Sequence, residues 1–381
     1  MLKITSFFNA RFVVLNWMDI SNPKAGGQEK YVYEMSRRLV KNGYRVTWLT
    51  SWYPGSRSRE IISGIEVIRT GNIYTFFIKY FYYYFKLRKD SMFFLSMNAI
   101  PFILPLRRKH RLVMIHHRFD IKVMKEKIGV LGYLSYFLQE VISPILYRKD
   151  HIITNSISSL EDFMKMGYQD VNVVKLGIEL PEFTTEIKKN FIVSPGPVKP
   201  WKHHDLVMKA FSKLSKDWEL IVFGSFESES YKQALISFST ELGIKERVKF
   251  PGRISDREMR RIFKESKLCV LGTEKEGWGL VAMEAQSYGC PVVAFDVPGI
   301  RDSVMDGKTG ILVKFGDVYA MSESIKELIN NESLYSEMSK SAIERASLYS
   351  WDQCYLEFTK ELNRINKFAE RNKKNKTFQE V

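Results

Sequence analysis

Residues 274–299 read EKEGWGLVAMEAQSYGCPVVAFDVPG, and the order of apolar, glycine and acidic positions in this stretch decides the architecture. The apolar run Leu268–Leu271 just before it reads as a buried strand. Glu274 to Gly279 forms an acidic, glycine-punctuated turn. A helix is expected from Leu280 to Tyr288 with Gly289 as its stop, and Pro291–Phe295 resumes a strand. Strand, turn, helix and strand make a βαβ unit, with the turn at the carboxyl end of a strand, where open α/β sheets bind ligands. Gly277 and Gly279 let the backbone approach a ligand closely, and the N–H groups of a helix start suit an anion such as a phosphate. Glu276 in the turn and Glu284 in the helix flank this point. A sugar nucleotide offers a diphosphate to such N–H groups and two sets of hydroxyls to carboxylates. The competing reading is a solvated helix start, since glutamate there favours the macrodipole anyway.

Three phrases extend the pattern: E-G-W-G-L-V-x-x-E-A from Glu276, G-x-P-V-V-A from Gly289, and V-P-G-x-x-D-S-V-x-D-G-x-T-G-x-L-V from Val297. Together they resemble the signature of family 4 of the retaining glycosyltransferases, which have the two-domain GT-B fold. A match spread over this much sequence is far more specific than a lone glycine motif. The resemblance implies an α/β protein with two Rossmann-like domains facing across a cleft. Residues 1–185 would form the acceptor-side domain and 186–350 the nucleotide-sugar domain. A helix over 351–368 would cross back to the first domain, with a polar, fraying tail at 369–381. It also implies transfer of a sugar from a nucleotide-sugar donor, with retained anomeric configuration, no cofactor and no metal. Glu276 would hold the transferred sugar and Glu284 the ribose, while Gly277, Trp278, Gly279 and Leu280 face the diphosphate. Arg253 and Ile254, after Gly252, would meet the base. In this scheme the departing phosphate itself accepts the proton of the acceptor.

Elsewhere the resemblance is carried by shorter phrases. N-W-x-D-x-x-x-P-x-A-G-G from Asn16 ends in Gly26 and Gly27, which would lie beneath the donor sugar and diphosphate; a tight strand-to-helix connection is the plainer reading of the glycines alone. The apolar strand Leu112–Ile115 ends in His116 and His117. A histidine there is often only structural, but the resemblance places His116, in preference to His117, beside the reacting carbon. The loop PGPVKPWKHHD, residues 195–205, supplies Lys202 at the family's phosphate-binding lysine. Pro197 stands where relatives carry an arginine, and proline has neither charge nor N–H. Lys199 is the nearest substitute, as a point charge and not a bidentate fork. This departure leaves a catalytically silent GT-B partner subunit open as an alternative, and a sugar-nucleotide epimerase, which uses the same fold, is another.

Composition sets the outer limits. At 381 residues, with 45% hydrophobic and 27% charged residues, the chain suits two soluble domains. Cys269, Cys290 and Cys354 lack metal-site spacing and read as buried thiols. No signal-peptide pattern and no long apolar run is seen, which points to a cytoplasmic protein. The net charge is +15, and residues 1–190 hold 29 Lys+Arg against 16 Asp+Glu, so +13 of it lies in the first half. No nucleic-acid-binding pattern accompanies this charge, so nucleic acid is excluded as the partner. Residues 72–111 crowd Tyr and Phe over 74–85, then place Lys86, Arg88 and Lys89, with Arg107, Arg108, Lys109 and Arg111 further on. Aromatic and basic side chains together suit an interfacial helix at an anionic membrane. The alternative is an amphipathic domain helix before a strand at Met92–Met97. A peripheral position at the inner face of the membrane, with a glycan or lipid-linked acceptor, is the expectation.

Overall fold

Short apolar runs alternating with amphipathic stretches fold into two parallel sheets, as strand–helix alternation requires. The structure, a computed structural model, describes residues 11–72, 75–88, 91–97, 100–104, 111–116, 118, 121, 125, 130–182 and 188–377. His117, Lys89, Arg107, Arg108, Lys109 and the strand-like run before Arg11 lie outside the described residues. One unit comprises residues 1–177 and 351–381, the other 178–350.

The first unit contains β1 (Arg11–Leu15), β2 (Arg45–Thr50), β3 (Arg59–Ile62), β4 (Ile65–Arg69), β5 (Ser91–Met97), β6 (Arg111–Ile115), β7 (His151–Thr154) and β8 (Asp170–Val173). Their order is β3-β4-β2-β1-β5-β6-β7-β8, parallel except for the β3–β4 hairpin. That hairpin turns on Ser63 and Gly64, both at positive φ (49° and 80°), as a two-residue hairpin loop demands. Alternate residues of the strands face one apolar layer: Val13, Leu15, Phe93, Leu95, Val113 and Ile115 pack with Phe76, Tyr80 and Tyr84 of the helix Phe76–Leu87 and with Tyr147 and Phe163. On the other face the final helix docks through Phe358, whose ring lies 5.4 Å from Phe94 and 6.5 Å from Tyr31. This helix runs from Trp351 to Thr377, beyond the end expected at 368, because its polar continuation holds no glycine or proline to stop it.

The second unit contains β9 (Lys189–Pro195), β10 (Glu219–Phe223), β11 (Val248–Gly252), β12 (Ser266–Leu271), β13 (Val292–Phe295) and β14 (Gly310–Val313). These form one parallel sheet in the order β11-β10-β9-β12-β13-β14. The unit begins at Ile178, not near 186. Ile178 N–H donates to Tyr349 O at 2.7 Å, which ties the segment after Gly177 to the second unit. Both sheets reverse direction of growth beside their first strand, at β1/β5 and at β9/β12. Crevices at the carboxyl ends of strands at such switch points are where doubly wound sheets bind ligands.

Candidate active site

In the second unit two loops meet at the carboxyl ends of β9 and β12. Glycine permits their contact. A Cβ on Gly272 would strike His203 O, and one on Gly299 would strike Glu276 O. Glu274 N–H donates to Trp201 O at 3.2 Å, and Glu276 N–H to Pro298 O at 3.2 Å, so the 272–279 turn is pinned on both flanks. His203 takes a left-handed conformation (φ 47°) just before the helix His204–Phe211. Lys202, just before it, forms an ion pair with Glu276. Both side chains are less than one-fifth exposed, at 16% and 19%. His203 Nε2 lies 3.5 Å from Glu274 Oε2. Buried His204 bonds Ser194 Oγ through Nδ1 at 3.0 Å, and desolvation lowers its pKa to about 4, so it is neutral.

Gly279 is the N-cap of the helix Leu280–Ser287, at φ 83°, packed against Ser303 so closely that any side chain would collide. Among the described residues, the N–H groups of Gly277, Gly279 and Leu280 meet no protein acceptor. Glu284 lies half-buried in this helix. The Trp278 side chain is core, 2% exposed, with its ring 5.4 Å from Tyr349; only its backbone is available to a ligand. Lys199 does not join this cluster. Its Nζ pairs with Glu227 at 3.0 Å and lies 5.1 Å from the centre of the Trp201 ring. Pro197 and Arg253 are exposed, and Ile254 packs on the core. Gly252 lies at φ 76° and accepts from Gly224 N–H at 2.9 Å, placing the 252–254 turn at the end of β11.

The first unit gathers polar side chains at the ends of β1, β5 and β6. Gly26 caps the helix Gly27–Lys41, and its N–H donates to Glu29 Oε2 at 2.9 Å. Gly26 lies at φ −133°, and a Cβ there would meet only Glu29 Oε2 at an ordinary 3.9 Å. Neither backbone conformation nor protein crowding demands glycine at 26, which weakens the tight-connection reading. Glu29 is buried, and desolvation raises its pKa. His116 follows β6 directly, is 2% exposed, and is pushed by burial to a pKa of about 3. Its Nε2 lies 2.9 Å from Ser96 Oγ, and Gln28 Nε2 reaches the same hydroxyl at 3.2 Å.

Sequence reading missed Asn16, Gln28, Glu29 and Ser96 as parts of this cluster. It also missed Arg69, the residue that anchors the loop after β1. The Arg69 guanidinium grips Asp19 bidentately at 2.7 and 2.9 Å, with both side chains fully buried. Asn16 and Asp19 stood in the quoted loop phrase, but no local pattern announces a partner on β4.

Two family models match successive parts of the chain. Residues 25–181 match the family described as Glycosyltransferase Family 4, and residues 179–345 match Glycosyl transferases group 1. The chain is 30% identical over 222 residues to the D-inositol 3-phosphate glycosyltransferase of Mycobacterium sp. (strain KMS), covering 54% of this chain and 50% of that protein. It thus spans about half the length of the curated relatives it matches. Among solved structures it is similar to sucrose-phosphate synthase from Thermosynechococcus elongatus, with a TM-score of 0.77, 17% identity, and 95% and 100% of the two chains covered. Anabaena Alr3699/HepE in complex with UDP-glucose gives a TM-score of 0.72 at 16% identity, covering 93% and 99%. At these identities the structural likeness establishes the fold alone, two parallel-sheet domains of the GT-B type.

Proposed function

The chain belongs to family 4 of the glycosyltransferases, and from that membership and the geometry of the two switch points we propose that it transfers a sugar from a nucleotide-sugar donor. One observation carries this reading: the ion pair of Lys202 and Glu276 beside the glycine-capped start of the helix Leu280–Ser287. Lys202 and the N–H groups at Gly277, Gly279 and Leu280 stabilise charge growing on the leaving diphosphate. Glu276, released from Lys202 by the donor, accepts from hydroxyls of the transferred sugar, and Glu284 from those of the ribose. His116 is the candidate catalytic residue of the first unit. Burial keeps it neutral and only weakly basic, and in the retaining, front-face substitution of this reading the leaving phosphate is the base. Lys199, already paired with Glu227, contributes little to phosphate binding, so Pro197 leaves this site without the second cation of the family pattern.

The acceptor is a glycan at a membrane surface, on the following grounds. The helix Phe76–Leu87 buries Phe76, Tyr80 and Tyr84 but exposes Ile78 (75%), Tyr82 (64%) and Phe85 (57%) between exposed Lys79 and Lys86. Leu134, Phe137, Val141 and Ile145 are likewise exposed on the helical segment 131–147. Tyr80 OH donates to Ile103 O and Tyr147 OH to the neighbouring Phe102 O, so both apolar faces belong to the same layer of the first unit. Exposed apolar surface rimmed by cations suits an anionic leaflet. Among the described residues no helix is long and apolar enough to cross a membrane.

Incubation with a panel of nucleotide sugars tests the donor reading: slow release of sugar from one of them is expected, and no binding of any nucleotide refutes it. Flotation tests the acceptor reading. Binding to anionic but not neutral vesicles is expected, reduced when Lys79, Lys86 and Arg88 become Glu. If no flotation occurs at low salt, a soluble phosphate-bearing acceptor, of the kind named for the inositol phosphate relatives, replaces the membrane glycan.

A further inference from the structure

A neutral histidine has one ring proton, and the nitrogen that carries it decides what the ring offers a ligand. Around His116 that choice follows from a backbone group that cannot turn round. Trp17 N–H donates to Asn16 Oδ1 at 2.8 Å, so the atom there is an oxygen. Asn16 Nδ2 faces Glu29 Oε1 at 3.3 Å, which fixes the same orientation from the other end. Gln28 meets Asn16 Oδ1 at 3.1 Å, so it must present its NH2 group, and that same Nε2 lies 3.2 Å from Ser96 Oγ. Ser96 therefore accepts from Gln28. Its side chain is fully buried, and among the described residues its one other partner is His116 Nε2 at 2.9 Å. A buried hydroxyl left without an acceptor is costly. Its single proton has one place to go, the lone pair of Nε2.

We propose that Gln28 and Ser96 are positioning residues that lock His116 in the Nδ1–H tautomer, so that the ring nitrogen left for a ligand is a hydrogen-bond donor and not a base. The role assigned to that donor rests on the glycosyltransferase reading; the tautomer itself does not. The ring is held otherwise as well. His116 O accepts from Thr154 Oγ1 at 3.2 Å, and the Tyr31 ring stands edge-on with centroids 6.1 Å apart. The relay ends at Glu29, whose carboxylate accepts from both Asn16 and Gly26 N–H. The same relay thus couples His116 to the cap that orients the Gly26–Gly27 turn.

Long-range proton–nitrogen NMR of the full chain labelled in its histidine rings reads the tautomer directly. The sequence has 6 histidines, and loss of one signal set in His116→Gln identifies the ring. The wild-type ring is expected as Nδ1–H throughout the neutral range. Ser96→Ala and Gln28→Met each remove one link, and either is expected to give a mixture with the Nε2–H form; the second variant decides if the first does not fold. An Nε2–H ring in the wild type, or pure Nδ1–H in both variants, overturns the proposal. In the donor-turnover assay both variants are expected to lower kcat about fivefold with the donor KM unchanged, as for an interaction realised in the transition state. No turnover by the wild type, with the ring still Nδ1–H, refutes the glycosyltransferase reading and leaves the tautomer assignment standing.

Discussion

Replacing Arg69 by Met tests whether the loop after β1 is built on one buried ion pair. The guanidinium makes two bonds to Asp19 (2.7 and 2.9 Å), one to Glu60 (2.9 Å) and one to the carbonyl of Arg57 (3.0 Å). Tyr53 lies over it at 5.4 Å and donates its own hydroxyl to Ser21 O at 2.9 Å. The Met variant keeps much of the apolar stem but strands the Asp19 carboxylate, with Ser21 N–H at 2.9 Å as its remaining partner. Breaking a buried pair from one side costs about 3–5 kcal/mol. Because Asp19 keeps its bond from Ser21 N–H, the lower end, about 3 kcal/mol, is expected. Asp19→Leu combined with Arg69→Met removes both charges and should recover most of that loss, since a paired replacement leaves no orphan. Urea unfolding of the two single variants and the double variant measures the cycle. Donor KM should rise in the single variants, because the same loop carries Gly26 and Gly27. A loss below about 1 kcal/mol in Arg69→Met, or a double variant no better than the sum of the singles, refutes the anchoring argument.

Three further outcomes are expected. Glu284→Gln keeps size but removes a charged acceptor worth about 1.5–3 kcal/mol, so calorimetry should show nucleotide affinity falling about tenfold or more with the fold intact. Lys199→Ala breaks only a half-exposed pair with Glu227 (32% and 40% exposed) and should leave nucleoside diphosphate affinity within about threefold, whereas a much larger loss would return Lys199 to the phosphate site. His151 bonds Asp170 and Glu361 through its two ring nitrogens at 2.8 Å each; burial lowers its pKa, but the bonds to Glu361 and Asp170 raise it further, so the net shift is upward. A raised histidine pKa gives stability that is full below the unfolded value of about 6.5 and is lost as pH rises through the folded value. Amide exchange in the helix Trp351–Thr377 should therefore quicken, beyond its intrinsic pH dependence, as pH rises past neutrality, and His151→Gln should remove that excess.

What the sequence made legible follows from how local each signal is. The turn Glu274–Gly279, its helix and the flanking strands could be read because glycines, apolar runs and a helix start lie within one stretch. The S-x-x-E capping box at Ser255–Glu258 is an equally local pattern, and its two reciprocal bonds are present at 3.1 and 3.2 Å. The β3–β4 hairpin is legible in principle from Ser63-Gly64 between two β-branched runs. Trp278 shows the limit of a motif. Its place in the quoted phrase suggested a ligand contact, but the side chain fills a core position and lends the site only its backbone. Arg69 and Ser96 show a deeper limit. Each matters through a partner 50 or 20 residues away, Asp19 and His116, that only the strand order brings alongside. Without β4 next to β2 and β5 next to β6, an arginine at a strand end and a serine inside an apolar strand carry no signal. The two lysines of the 195–205 loop make the same point about charge. They differ by three positions in sequence, yet Lys202 pairs with Glu276 and Lys199 with Glu227. The family resemblance placed Lys202 at the phosphate and left Lys199 as a substitute for the missing arginine; their different carboxylate partners separate them.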